Sequence, residues 1–415
     1  MNSADAVRNM AQIVQNHLES EPLVVVVSAM GKTTNLLERL VPGVADAAEQ
    51  ASLRSKMEEY HLDIVNALIP NDGRAASEVR SLLGRLDSVR AGLHASHERY
   101  NYNYDQVVSY GELISTTIIA RYLNHLGIRT LWVDARQLIR TDAHFREGRV
   151  DWQATREATQ ALMAGPMDYD VVVTQGFIGG TSTPATGVAA TTLGREGSDY
   201  SAAILAYCLD AASVTIWKDV PGFLNADPKF FKDTVKIGQI PYNEAIELAY
   251  YGASVIHPKT VKPIQNKGIP LNIRSFLVPD SEGSVIGNYH AISPETPLYI
   301  FKNNQILISI LPRDYSFIAE DNLQVIFGIL NELGIRVNMM QNSALSFSVC
   351  IDNNPQRTGV LTERLKSMFR VRYNENLQLV TIRYYTPEVI DRIVAGRPVL
   401  LEQRSRLTAQ LIVPA

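Results

Sequence analysis

The chain has 415 residues, 46% of them hydrophobic and 20% charged, with a formal net charge of −4. That length predicts two or three domains, the composition excludes a disordered or fibrous chain, and the slight negative charge argues against nucleic acid or an anionic membrane as the main partner. No apolar run reaches the roughly 18 residues of a membrane helix. No basic segment followed by an apolar stretch opens the chain, and its two cysteines, Cys208 and Cys350, lie in apolar runs. These features read as a cytoplasmic protein with reduced core thiols.

Ala6, Met10, Ile13, Val14 and Leu18 recur at helical spacing and precede a strand over 23–27. Residues 50–69 and 79–98 read as long amphipathic helices. Strands over 130–133, 171–174, 213–217 and 271–274 then alternate with helices over 111–126, 201–209 and 243–251. Those strands are apolar at nearly every position, which predicts a parallel sheet covered on both faces. Pro, Gly, Ser and Asn punctuate the chain between 278 and 297, where a linker is expected. Beyond it the pattern predicts strand 306–311, helix 322–333, strands 337–340 and 347–351, helix 359–368, strands 369–373 and 378–383, helix 387–395 and strand 409–413. This is two small α+β units in tandem.

Residues 191–200, Thr-Thr-Leu-Gly-Arg-Glu-Gly-Ser-Asp-Tyr, are the most informative stretch. A glycine turn leads through Arg195 to Ser198-Asp199 and an Ala-rich helix. Ser198 or Asp199 is expected as the helix N-cap, with an anion site at its free N–H groups. Arg195 adds a fork of donors suited to carboxylate or phosphate. Upstream, strand 171–174 runs into a glycine-rich turn through Gly176, Gly179 and Gly180. Downstream, strand 213–217 ends in Lys218-Asp219-Val220-Pro221-Gly222-Phe223, followed by Ala226-Asp227-Pro228-Lys229. Ser109-Tyr110-Gly111-Glu112 opens a helix, where Glu112 reads either as an acid favoured by the helix dipole or as a ligand carboxylate. Gly31-Lys32-Thr33 is not a P-loop, since Val26 stands where that motif needs its first glycine. His257 before Pro258 reads as closing a turn, not as a metal ligand, and Tyr102-Asn103-Tyr104 as a packed helix end.

These blocks, together with Val24 to Met30 and Gly252-Ala253-Ser254-Val255-Ile256-His257-Pro258, resemble aspartate kinase of the amino acid kinase superfamily, in order from about residue 3 onward. The resemblance implies a kinase domain over 1–282, a linker over 283–298 and ACT-like units over 299–355 and 356–415. It implies ATP and Mg²⁺ as cofactors and L-aspartate as acceptor, with 4-phospho-L-aspartate as product. Aspartate's side-chain carboxylate is already ionised at neutral pH, so no general base is needed. Catalysis then rests on cations, helix N-termini and positioning.

By the same resemblance Arg195 binds the α-carboxylate of aspartate and Glu112 its α-ammonium. Ser28, Thr34, Phe177, Ser198 and Asp199 complete the acceptor pocket, with Arg195 and Asp199 as the catalytic pair. Lys218, Asp219, Asp227, Lys229, Ser254 and Lys259 would surround ATP. Lys218 stands where Thr is usual, Lys229 where Arg is usual, and Ser254 where Lys is common, with Lys259 able to compensate. An amino-acid effector is expected at Val337, Asn338 and Ser343. Lysine-sensing members place acids at the positions of Asn338 and Ala344, so weak or absent inhibition by lysine alone is expected, with threonine or no effector as the alternatives. A homodimer through the C-terminal units is expected, with strand 347–351 as a candidate edge. The family's opening Lys-Phe-Gly-Gly-Thr-Ser strand is not found. The expectation is either a start upstream of the recorded one or a weakly active form. The alternatives are a kinase for another small acid, such as glutamate or acetylglutamate, and a non-catalytic amino-acid sensor.

Overall fold

The computed structural model describes residues 1–18, 23–70, 72–163, 168–183, 187–194, 197–253, 255–314 and 316–415. They form two compact units that interleave along the chain: Met1–Gly222 with Ile256–His290, and Phe223–Val255 with Ala291–Ala415.

The first unit opens with α1 (Ala4–Gln15), capped by the Ser3 hydroxyl, and β1 (Leu23–Val27). Five described helices precede the next strand, the first four being α2 (Thr33–Arg39), α3 (Ala47–Leu68), α4 (Gly73–Ala91) and α5 (Tyr100–Val108). Asp46 and Asp72 cap α3 and α4 through their carboxylates. The helix expected over 79–98 thus ends at Ala91, and Tyr102-Asn103-Tyr104 lies inside a separate helix whose Asn103 bonds the His94 carbonyl. Next come α6 (Tyr110–His125), β2 (Thr130–Val133), α7 (Ala135–Leu138), α8 (Trp152–Met163) and β3 (Val171–Gln175). Strand order is β1-β3-β2, all parallel, with β3 in the middle and buried throughout. Val171 and Val173 join the core that holds α6, whereas Val172 faces Ile204, Leu205 and Cys208 on the opposite side. That period-2 division covers both faces of the sheet, as the apolar strand pattern requires.

The expected glycine-rich turn after β3 is instead a hairpin, β4 (Ile178–Thr183) with β5 (Gly187–Thr192). Its glycines serve close approach. A Cβ on Gly180 would sit 2.3 Å from the Arg136 carbonyl oxygen, and one on Gly179 would sit 2.9 Å from that of Ile139. After it come α9 (Gly197–Leu209) and β6 (Val214–Lys218).

The chain then enters the second unit with β7 (Phe223–Leu224), β8 (Lys236–Ile237), β9 (Gln239–Pro241) and α10 (Tyr242–Tyr251). It returns to the first with α11 (Pro258–Gln265), whose N-cap is His257, and β10 (Leu271–Ser275) beside β11 (Ser284–Gly287). β10 is parallel to β6 and antiparallel to β11.

The second unit is completed by β12 (Leu298–Pro312), α12 (Glu320–Glu332), β13 (Val337–Asn342), β14 (Phe347–Asp352), α13 (Pro355–Met368), β15 (Phe369–Arg383), α14 (Pro387–Val394), β16 (Leu401–Arg404) and β17 (Thr408–Pro414). They make one six-stranded antiparallel sheet, β13-β14-β12-β15-β17-β16. The strands expected over 369–373 and 378–383 are a single strand, β15, whose register against β12 shifts near Asn304 and Asn376, both at positive φ. Segment 347–351 is not an edge. Its Phe347, Val349, Cys350 and Ile351 are all buried, and β14 lies between β13 and β12. Both cysteines are buried free thiols.

Candidate active site

β1 and β3 end side by side, where the Gly176 N–H donates to the Val27 carbonyl over 2.8 Å. The loops that leave them, Ser28-Ala29-Met30 and Gly176-Phe177, emerge together at the C-terminal edge of a parallel sheet. Open α/β sheets bind their ligands at that edge. The first turn of α9 packs directly against them. A Cβ on Gly176 would lie 2.5 Å from the Ser198 hydroxyl, and one on Gly197 would lie 2.5 Å from the Phe177 ring. Phe177 is held at φ +66°, a left-handed conformation unusual for a bulky residue. The Ser201 hydroxyl accepts its N–H at 3.0 Å, and its carbonyl accepts from Leu193 at 2.8 Å. Strain so over-determined is common at ligand clamps.

α6 brings Glu112 to the same place. Gly111 lets the helix approach closely, since a Cβ there would stand 2.9 Å from that of Ala29 and 3.2 Å from a Leu37 methyl. Glu112 is 2% exposed, and its Oε1 accepts the Ala29 N–H at 3.2 Å. Its Oε2 is buried with no hydrogen-bond partner. Burial pushes the carboxyl up to about 8. An acid merely tuning a helix dipole would be solvated, so the ligand reading is the stronger of the two. The Ser115 hydroxyl fastens the same helix to the Ser28 carbonyl at 2.8 Å. Ser28 itself is exposed, and Thr34 is half-buried in the first turn of α2.

Ser198 and Asp199 fall inside the first turn of α9, not at its N-cap, because the helix already begins at Gly197. Asp199 there forms an ion pair with Lys218, the last residue of β6, with Nζ 3.0 Å from Oδ2. The first turn of α9 and the end of β6 therefore meet through opposite charges. Asp219 is exposed beyond that strand. Lys259 is exposed on the first turn of α11, its Nζ 3.7 Å from the Cβ position of Gly194 in the loop before α9. Arg195 and Ser254 lie outside the described residues. Asp227 and Lys229 belong to the second unit, exposed, in a turn where Asp227 accepts the Lys229 N–H at 2.9 Å.

Asp105 was not singled out by its sequence context, yet it anchors this region. Its carboxylate accepts the Thr192 N–H and hydroxyl at 2.9 and 2.8 Å and the Arg146 N–H at 2.8 Å. Burial lifts it to about 6, against those bonds. The only signal for it was an acid in an otherwise neutral helical run.

Among the expected effector residues, Asn338 is committed to its neighbours. It accepts from Lys302 Nζ at 2.9 Å and donates to Gln305 at 2.8 Å and Asp352 at 2.9 Å. Val337 packs against the apolar core beside α12, and Ser343 closes a turn with Ser346.

A parallel sheet with a buried carboxyl, one oxygen of it unpartnered, and a helix N-terminus at its C-terminal edge is the ligand-binding arrangement of a small-molecule enzyme of the α/β class. The model of the amino acid kinase family matches residues 1–275. Over 391 residues the chain is 31% identical to lysine-sensitive aspartokinase 3 of Escherichia coli K12, covering 91% of this chain and 83% of that one. It is 32% identical over 365 residues to the chloroplastic aspartokinase 1 of Arabidopsis thaliana, covering 84% of this chain but 61% of the plant protein. The solved structure of E. coli aspartokinase III with lysine and aspartate, in its T-state, matches all of this chain and 93% of its own, at 28% identity and a TM-score of 0.82. The R-state of the same enzyme with aspartate and ADP matches 99% and 93%, at 28% identity and a TM-score of 0.79. The chain belongs to the amino acid kinase family and, within it, to the aspartokinases.

Proposed function

We propose that the pocket between the ends of β1 and β3 receives L-aspartate, with Glu112 as the seat of its α-ammonium. As an aspartokinase, the chain transfers the γ-phosphoryl group of ATP to the side-chain carboxylate of aspartate, giving 4-phospho-L-aspartate. The observation that carries the site is the orphaned Oε2 of Glu112, a buried acceptor that a bound ammonium would satisfy. Ser28, Thr34, Phe177 and Ser198 line the acceptor, and Arg195 binds its α-carboxylate.

The attacking carboxylate is already an anion, so no proton has to be removed. The obstacle is repulsion between it and the phosphates. In this reading Lys218 offsets that charge, supported by its pairing with Asp199 at the N-terminus of α9. Lys259, beside Gly194, is a second cation on the same side, and Asp219 completes the nucleotide contacts within this unit; Asp227, Lys229 and Ser254 are assigned to ATP by the family resemblance alone. Magnesium arrives on the nucleotide as Mg·ATP, needing few protein carboxylates.

The C-terminal unit supports two further proposals. An amino-acid effector acts near Val337, Asn338 and Ser343, with lysine a weak one. A homodimer covers the apolar side chains left exposed around α12 and β13, among them Phe317 at 72% and Met340 at 52%. Among the described residues no helix is long and apolar enough to cross a membrane, and we place the protein in the cytoplasm.

The test is a hydroxylamine-trapping assay with aspartate, glutamate and N-acetylglutamate as acceptors. Aspartate should be preferred, and Glu112→Gln should raise its KM about tenfold or more while leaving that for ATP unchanged. Glutamate preference would overturn the acceptor, and an aspartate KM within about twofold of the parent would overturn the role of Glu112.

A further inference from the structure

α6 has a second lined face. Its Tyr110, Leu113, Thr117, Ala120, Arg121 and Asn124 border an open-sided cavity of 510 Å³ whose other walls are α4, β2 and α7. That volume lies in the range of about 300–1,000 Å³ typical of small-molecule sites. Three guanidinium groups line it, those of Arg85, Arg121 and Arg136, against the carboxylates of Glu78 and Asp134. Arg121 is paired with Glu78, and Arg136 with Asp134 at 2.6 Å. Arg85 is exposed and ion-paired with no carboxylate among the described residues. The cavity therefore holds two neutralised pairs and one spare cation beside apolar walls that include Leu82, Leu113 and Trp132. The Tyr110 phenol, raised by burial, stays protonated and can donate.

The cavity is wired to the acceptor loops. Trp132 on its wall donates its indole N–H to the Thr116 hydroxyl at 2.9 Å. The same hydroxyl accepts from the Gln175 amide at 2.7 Å, and Gln175 in turn accepts the Ala135 N–H at 2.7 Å. Gln175 immediately precedes Gly176-Phe177, and Tyr110 stands two residues before Glu112 on one helix.

We propose that this cavity binds a small organic anion with an aromatic or apolar body, its charge on Arg85, and that occupancy changes aspartate affinity through α6 and the Thr116–Gln175 link. The coupling rests on the acceptor-site reading above; the binding does not, so the two fail separately. Residues on both faces of one buried helix cannot shift independently, which is the physical basis of the coupling.

The full-length chain is titrated calorimetrically with phenylacetate and with phenyl phosphate, using 2-phenylethanol as the neutral isostere, and aspartate KM is measured with each. Saturable binding of at least one anion is expected, weakened about tenfold in Arg85→Gln, with much weaker binding of the alcohol. Ser81→Trp, at the exposed rim, should block it by filling the mouth. Preference for phenyl phosphate would identify a phosphate ester as the ligand type, and preference for phenylacetate a carboxylate. No saturation by either anion below about 10 mM, or equal affinity in Arg85→Gln, overturns the site. Saturable binding that leaves aspartate KM within about twofold overturns the coupling.

Discussion

Lys218 and Asp199 face each other at 3.0 Å, one ending β6 and the other in the first turn of α9, with side chains 21% and 18% exposed. The pair stands where the acceptor helix meets the loop assigned to the nucleotide. A half-shielded pair of this kind adds little to stability, about 0–1 kcal/mol, so on the function proposed above its value would lie in holding a cation at the reacting charges. Lys218→Met should lower kcat/KM by about 10²-fold while moving Tm by no more than a degree or two. A double-mutant cycle with Asp199→Asn checks it: the two losses should be far from additive, and additive losses would show that the pair does not act as a unit.

Glu112 links pH to both stability and substrate. Its folded pKa of about 8 lies above the ordinary glutamate value of 4.5, because burial disfavours the charged form. The native state therefore holds a proton that the unfolded chain releases between those two values, and stability falls as pH rises through that window. Glu112→Gln keeps an acceptor for Ala29 without the charge. It should be more stable than the parent at pH 8 by on the order of a few kcal/mol, with the difference vanishing near pH 4.5. An ammonium needs the ionised carboxylate, so aspartate KM should fall as pH rises from 6 toward 8 in the parent and stay flat in the variant. Urea melts and initial rates across that range measure both.

Two glycines separate close approach from mere permissiveness. A Cβ on Gly180 would meet the Arg136 carbonyl oxygen at 2.3 Å, whereas one on Gly84, within α4, would meet nothing within 4 Å. Gly180→Ala should cost about 2 kcal/mol or more, by forcing α7 off the hairpin. Gly84→Ala should instead stabilise by about 0.5–1 kcal/mol through helix propensity. Thermal unfolding of both variants should give shifts of opposite sign.

Much of this arrangement was legible in local patterns. An apolar run breaking into a polar residue, with a glycine within a few positions, marked the ends of β1 and β3, and parallel pairing sends those two ends to one edge. What local pattern could not supply was which distant groups meet. Gly179 and Gly180 look like a turn because glycine signals a turn and a close backbone contact in the same way; only α7 behind them distinguishes the two. Segment 347–351 looked like an edge because an apolar strand reads alike whether it lacks one neighbour or has both. The bond between Glu112 and Ala29 spans 83 residues, and that between Trp132 and Thr116 crosses from a strand to a helix. Neither has any signature in spacing.

Arg383 and Glu244 form a deeply set ion pair of the second unit, with side chains 8% and 6% exposed. Arg383 also donates to Glu247 at 3.3 Å and to the Thr408 hydroxyl at 2.8 Å, so it ties α10 to β15 and β17. Removing one partner leaves the other buried and unpaired. Arg383→Met should cost about 3–5 kcal/mol, and the double change with Glu244→Leu should recover a good part of it. Chemical denaturation monitored on the second unit would read both, and a single-variant loss below about 1 kcal/mol would contradict the burial argument.

The internal amine of Lys302 makes weak lysine sensing a structural expectation. Its Nζ donates to Asn338 at 2.9 Å, while Asn338 and Gln305 both turn their amides onto one Asp352 oxygen, at 2.9 and 2.7 Å. The one carboxylate of this cluster is thus already engaged by two amides and lies in the field of Lys302, whose own pKa burial lowers and Asp352 raises. A free lysine would bring a second ammonium to a seat where the protein has placed its own, and like charges at close range in a half-buried site repel. Lysine should therefore inhibit the parent only at roughly millimolar concentration or above. Lys302→Ala vacates the seat and leaves Asn338 and Asp352 without their cation. That variant should lose stability and gain lysine affinity by about tenfold or more, with norleucine, which lacks the ammonium, giving no such gain. Calorimetry with both amino acids on both proteins decides it: tight lysine binding by the parent, or equal response of the variant to norleucine, would show that the cluster does not govern the effector.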